Sequence, residues 1–142
     1  MHMVTSVHHS LDGLLSLSLA VAEHTERGLR ERDLSRSEAR LLWSLAEAAP
    51  ARQQRLSELL GVTPRYVTRL VDDLSDRGLV ERRPHPSDRR SMLVTPTREG
   101  ERLLSRMRAD HDRLADALFG DMSPDKRATF QEIASGVIER LS

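Results

Sequence analysis

The sequence predicts a mainly helical fold with one β-hairpin set into it, in the order helix, helix, helix, helix, hairpin, helix, helix. Three observations predict it. Apolar residues recur at helical spacing along most of the chain. Only two runs, Leu79-Val80 and Met92-Leu93-Val94, read as strand, and they flank the loop "RRPHPSDRR". Two of the helices are short, joined at "GVT", and sit directly before that hairpin.

The first helix comes from "HSLDGLLSLSLAVAEHTERGL", where Leu11, Leu14, Leu15, Leu19 and Ala22 keep helical spacing. "SLSLAVA" alternates as a strand would, but the length of the segment favours a helix. In "LSRSEARLLWSLAEA", Ser35 and Glu38 form a capping box, with Leu34 and Ala39 as a hydrophobic staple. Leu42, Leu45 and Ala46 make the apolar stripe, and Pro50 marks the end. The first short helix, Arg52–Leu60, turns Leu56, Leu59 and Leu60 inward and stops at Gly61. The second, Thr63–Arg77, has Thr63 as N-cap, Pro64 at the first helical position and Gly78 at its end. Its Val67, Leu70, Val71 and Leu74 follow the i, i+3, i+4, i+7 pattern. Leu79–Arg83 and Ser91–Thr95 are the expected strands. Thr97 caps a helix to about Phe119 with Leu103, Leu104, Met107, His111, Leu114 and Leu118 on one stripe. Ser123-Pro124 opens the last helix, whose stripe is Phe130, Ile133, Ala134, Val137, Ile138 and Leu141.

The totals bound the function. The 142 residues fit one domain, and 22 basic residues balance 22 acidic ones. Zero net charge argues against indiscriminate coating of nucleic acid, not against one local basic surface. From Arg77 to Arg90 there are five arginines against Glu81 and Asp88. The acids gather later, at Asp110, Asp112, Asp116, Asp121 and Asp125. No cysteine is present, which excludes disulfides, thiolate metal sites and thiol redox sensing. No apolar run approaches a membrane span, and the start lacks the order of a signal peptide, so a cytoplasmic protein is expected.

Two short helices with a tight junction, followed by a hairpin, make a winged helix-turn-helix. At about 100° per residue, Arg65, Thr68, Arg69 and Asp72 share the side of the second helix opposite its apolar stripe. If that stripe packs on the core, Arg65, Thr68 and Arg69 point outward together, able to reach base edges and phosphates in a major groove. Asp72, Asp73 and Asp76 come later and would repel phosphate, so the basic end is the end that enters. For a lone helix, a solvated face with ion pairs is the competing reading; the hairpin that follows shifts the balance. The start of the first short helix offers Arg52, Gln53 and Gln54 to phosphate.

The run "LSELLGVTPRYVTRLVDDLSDRGLVERRPHPSDRRSMLVTPTREG" resembles the MarR (multiple-antibiotic-resistance regulator) family of bacterial transcription factors. The matching pieces are "VTRLVDDL", "RGLVERR", the wing "DRR" and the "T-x-x-G" that opens the next helix; Pro96 departs from the leucine common there. The resemblance implies a homodimer. Residues 5–33 and 97–142 would form a helical dimerisation lobe, and residues 34–96 a DNA-binding lobe. The recognition helices would enter successive major grooves of a pseudo-palindromic double-stranded operator, and the wing the adjacent minor groove. Carried over, Arg90 is the arginine inserted there, Asp88 the acid that holds it, and Arg89 and Arg83 phosphate partners. Taken without the resemblance, Asp88 and Arg90 would simply lock the hairpin. The full expected DNA-contacting set is Arg52, Gln53, Gln54, Thr63, Arg65, Tyr66, Thr68, Arg69, Arg83, Asp88, Arg89 and Arg90.

The resemblance also implies a crevice for a small aromatic or phenolic effector, lined by Arg40, Trp43, Met107 and His111; each of these residues also reads as plain core or surface. His8, His9, His24 and His111 raise metal sensing, but no H-x-x-x-H pair exists and solvent or interface histidines fit better, so no metal or cofactor is expected. No nucleophile–base pair, glycine-rich phosphate loop or spaced carboxylate pair points to an enzyme. The expected function is therefore a sequence-specific regulator, in the family's usual mode a repressor released by a small molecule. The alternative is a small-molecule-binding or protein-interaction helical protein without specific DNA binding.

Overall fold

The computed structural model describes residues 6–142. Helix α1 (Val7–Glu31) is a single uninterrupted helix, so the strand-like alternation in "SLSLAVA" gives way to the longer helical period. Ser6 caps it by accepting the His9 N–H. Asp33, at φ 54, turns the chain out of it, a left-handed conformation that a short polar side chain tolerates. Helix α2 (Arg36–Ala48) has the expected capping box: Ser35 Oγ accepts from Glu38 N, and Glu38 Oε1 accepts from Ser35 N, each at 3.1 Å. The staple residues Leu34 and Ala39 are both buried.

A two-residue strand, β1 (Ala51–Arg52), precedes α3 (Gln53–Leu60), and α4 (Pro64–Asp76) follows. The first short helix thus begins one residue later than expected, because Arg52 is drawn into the sheet. Thr63 is the N-cap of α4, as expected, and Arg77 is its C-cap. Gly61, at φ 65, and Gly78, at φ 72, make the reversals that end the two helices. At Gly78 the Leu79 N–H returns to Leu74 O and the Gly78 N–H to Ser75 O, both 2.9 Å, so the carbonyls at the end of α4 are satisfied as the chain turns into the wing.

The wing strands are β2 (Val80–Pro84) and β3 (Met92–Pro96), each displaced by one residue from the sequence expectation. They pair antiparallel, with Arg82 opposite Val94 and Val80 opposite Pro96. Pro96 falls at the end of the ladder, where its missing N–H costs least. Strand β1 pairs with the other edge of β3, giving a three-stranded sheet in the order β1-β3-β2. Helices α5 (Arg98–Phe119) and α6 (Pro124–Leu141) complete the described chain.

By packing, the chain divides into two units, Met1–Gly100 and Glu101–Ser142. The expected lobes divide it instead by role, and residue 5, where one of them starts, lies outside the described residues. In the first unit the core is Leu41, Leu42 and Leu45 of α2, Leu56 of α3, Val67, Val71 and Leu74 of α4, and Val80 and Val94 of the sheet, all 0–2% exposed. Each such side chain contributes about 1.5–3 kcal/mol by leaving water. This core fixes α3, α4 and the sheet as one body. Helix α1 has no buried residue, and Leu11, Leu15 and Leu19 are more than half exposed. In the second unit Ser123 caps α6, and the Phe119 and Phe130 rings meet at 5.1 Å. Ile133, Ile138 and Leu141 of α6 are exposed.

Candidate nucleic-acid interface

Thr63 Oγ1 accepts the Tyr66 N–H at 3.1 Å and starts α4 with Pro64 in its first turn. With Val67, Leu70, Val71 and Leu74 buried, the opposite face is fixed toward solvent. Arg65 and Arg69 stand on it exposed, and neither guanidinium has a hydrogen-bond or ion-pair partner among the described residues. Thr68 lies between them, but its hydroxyl is engaged: it donates to Pro64 O at 3.1 Å and accepts from Gln53 Nε2 at 3.0 Å. The Tyr66 hydroxyl donates to Ser37 Oγ at 3.0 Å, which pins α4 to α2. Gln54 is exposed at the start of α3.

Nothing in the sequence singles out Arg82, yet it organises this surface. From β2 its Nε donates to Gln53 Oε1 at 2.8 Å, and its Nη2 pairs with Asp72 at 2.7 Å. One guanidinium therefore joins the wing to both helices of the helix-turn-helix. Gln53, expected to face phosphate, has both ends of its amide committed to Arg82 and Thr68. Asp72, expected to repel phosphate, is neutralised by Arg82. The two lie on different elements, a helix and a strand, so no periodicity exposes the pair.

The wing tip is a built turn. His85 N–H donates to Ser91 O and Ser91 N–H to Asp88 O, both 3.0 Å. Asp88 Oδ1 accepts the Arg90 N–H at 3.1 Å, and Oδ2 accepts the Ser91 hydroxyl at 2.9 Å. These bonds hold the Asp88 carboxyl below the usual carboxylate range, the Ser91 hydroxyl first and the Arg90 N–H second, with smaller help from Arg52 and His85. Asp88, expected to hold Arg90, grips it through the main chain of the turn: an N–H and an O–H donor lie closer to the acid than any guanidinium. The nearest guanidinium is that of Arg52, with Nη2 at 4.0 Å. Arg89 and Arg90 are exposed and unpaired among the described residues. Arg83 is instead paired with Glu81.

The effector residues fall in both units. Arg40 donates to Leu60 O at 3.2 Å, which satisfies the end of α3, and Trp43 is half-buried on α2. Met107 is buried, and His111 is exposed with Nδ1 4.0 Å from Asp112. Among the described residues no group of three or more His, Asp or Glu side chains is placed to hold a metal ion, and no helix is long and apolar enough to cross a membrane.

Residues 34–92 match the model of the MarR family. The chain is 33% identical over 130 residues to ML2140, an uncharacterized HTH-type transcriptional regulator of Mycobacterium leprae, covering 88% of this chain and 90% of that one. It is 30% identical over 124 residues to the HTH-type transcriptional repressor YetL of Bacillus subtilis, covering 86% and 72%. Among solved structures it superposes on Streptococcus pneumoniae FabT, determined in complex with DNA, with a TM-score of 0.77 at 22% identity over 95% of this chain and 94% of that one.

Proposed function

Because this chain belongs to the MarR family and is a transcriptional regulator, we propose that it binds a pseudo-palindromic operator as a homodimer, from the cytoplasm. Residues 34–96 form the DNA-binding lobe, and the flanking segments, 5–33 and 97–142, join two copies. The observation that carries this reading is the set of four exposed guanidinia without protein partners among the described residues, Arg65 and Arg69 on α4 and Arg89 and Arg90 on the wing tip. Other arginines of the lobe are spent internally: Arg77 on Glu38, Arg82 on Asp72 and Arg83 on Glu81. A protein that leaves these cations free, on a recognition helix and on a wing, is prepared for phosphates and groove edges. The Arg90 side chain suits a narrow minor groove, where negative potential concentrates.

The uncovered leucines of α1 and the isoleucines of α6 support the dimer, since stripes this apolar are seldom left to water. Repression, and release by a small aromatic ligand, complete the reading. The similarity to YetL, a transcriptional repressor, supports the first.

The test is binding to duplex from the chain's own upstream region over a salt series. A steep fall of log affinity with log salt, and clear preference over random duplex, are expected. A flat salt dependence without preference would overturn the proposal.

A further inference from the structure

In a major groove the bases are told apart by the group set against each edge. A guanidinium spans guanine O6 and N7, a side-chain amide spans adenine N6 and N7, and a carboxylate accepts from cytosine N4. All three kinds stand on the helix-turn-helix, but on the groove face of α4 only the guanidinia are free. The amide is Gln53 of α3, whose Oε1 accepts from Arg82 Nε at 2.8 Å and whose Nε2 donates to Thr68 Oγ1 at 3.0 Å. The carboxylate is Asp72, three residues beyond Arg69, and it pairs with Arg82 Nη2 at 2.7 Å. The Thr68 hydroxyl is spent on Gln53 and on Pro64 O, and the Tyr66 hydroxyl on Ser37. Helix α4 itself has no asparagine or glutamine. Gln54 stands in the first turn of α3, the helix that crosses the backbone in this kind of docking, and Asp73 and Asp76 lie in the last turn of α4, away from the end that enters. Arg65 and Arg69 remain, exposed and unpaired among the described residues.

One guanidinium, that of Arg82, withdraws the amide and the carboxylate together, and it comes from the wing strand rather than from either helix. We propose that Arg82 filters base choice: by holding Gln53 and Asp72 it leaves α4 a reader of guanine, through Arg65 and Arg69. Four residues of helix span about 6 Å and successive base pairs lie about 3.4 Å apart, so the two arginines meet different base pairs, about two steps apart in each half-site. The choice of guanine rests on the DNA-binding reading above and supplies the bases that it leaves open. Arg82 touches no base here; it acts by positioning the groups that would.

The experiment starts from the duplex that the full chain selects out of a random pool. Each half-site guanine is replaced in turn by 7-deazaguanine, which lacks N7, and by inosine, which keeps O6 and N7 and lacks only the minor-groove amino group. Two guanines in each half-site should lose about tenfold or more in affinity as 7-deazaguanine and change little as inosine. Arg65→Ala should abolish discrimination at one of these positions and Arg69→Ala at the other, with the wild-type circular dichroism retained because both side chains are exposed. Arg82→Ala should prefer guanine over adenine and cytosine several-fold less than the wild type, whereas loss of a merely structural contact lowers affinity for every sequence alike. Half-sites selected without guanine, or guanines as sensitive to inosine as to 7-deazaguanine, overturn the guanine reading while leaving specific DNA binding in place. A wild-type base preference in Arg82→Ala overturns the filter. No preferred duplex at all sinks the DNA-binding reading itself, and the choice of guanine with it.

Discussion

Asp88 grips the main chain of Arg90 and leaves its side chain free: the carboxylate accepts the Arg90 N–H at 3.1 Å, while the guanidinium has no partner among the described residues. The acid therefore shapes the turn that aims the arginine, and does not neutralise the charge that would meet DNA. This distinction is measurable. Asparagine at this position keeps an oxygen for the Arg90 N–H, and the Ser91 hydroxyl can rotate to suit the new amide. Asp88→Asn should retain most of the operator affinity, whereas Asp88→Ala should lose several-fold and broaden the amide signals of residues 86–91. Equal losses in the two variants would mean that the charge itself, not the turn, is what matters.

The same bonds make the turn sensitive to acid. The Asp88 carboxyl is held below its ordinary value by the Ser91 hydroxyl and the Arg90 N–H. A depressed pKa means that the ionised form is favoured by folding. Its contribution is present above the ordinary carboxylate range and is lost as pH falls through the lowered value. The Arg90 amide shift, followed against pH, should therefore turn over at a lower pH than that of an unstructured aspartate. A midpoint at or above the ordinary carboxylate range would contradict the hydrogen-bonded turn.

Arg82 and Arg90 should fail in different ways. If Arg90 enters the groove as proposed, Arg90→Ala is expected to cost about 1–3 kcal/mol of binding and to lower the salt slope by about one. Arg82 points inward, to Asp72 and Gln53. Arg82→Ala should weaken binding by releasing the wing from α3 and α4, with the salt slope unchanged. In unfolding experiments, a double-mutant cycle of Arg82→Ala with Asp72→Ala should give a coupling of about 0.5–1 kcal/mol, discounted because Asp72 is half in water. A salt slope that drops in Arg82→Ala would make it a phosphate contact instead.

Much of this surface is legible in the sequence because it rests on local rules. Thr63, Pro64 and the Val67/Leu70/Val71/Leu74 stripe set which way α4 faces, and so which arginines are exposed. The proline-arginine loop between two apolar runs marks the wing. Most of what sequence reasoning misses is made by partners distant along the chain. Strand β1 is two residues long, too short to alternate, and exists only because β3 has a free edge. Arg82, Gln53 and Asp72 meet across three elements, so the sequence alone assigns Gln53 to DNA. Arg83 looks the same as Arg89 and Arg90 in the one-letter run, but strand geometry places it beside Glu81. The lone guanidinia are known only after the paired ones have been subtracted.

The "T-x-x-G" motif shows how a legible pattern can have an unreadable cause. Thr97 Oγ1 accepts the Gly100 N–H at 3.1 Å, an ordinary helix cap, and donates to Gly78 O at 2.6 Å. Thr97 N–H also donates to Leu79 O at 3.1 Å. That carbonyl lies against Gly100: a Cβ built there would sit 2.0 Å from Leu79 O and 3.2 Å from Pro96 Cβ. The obstruction is backbone, so it cannot rotate away, and moving it would stretch the Thr97 bond at the exit of α4. Gly100→Ala should therefore destabilise the protein by about 1–3 kcal/mol despite alanine's better helix propensity. Gly28→Ala, in α1 with nothing within 4 Å of the new Cβ, should be neutral or stabilising by up to about 1 kcal/mol. Urea unfolding of the two variants decides the matter. If Gly100→Ala unfolds at the wild-type midpoint, the close approach of Leu79 to the start of α5 does not constrain this position.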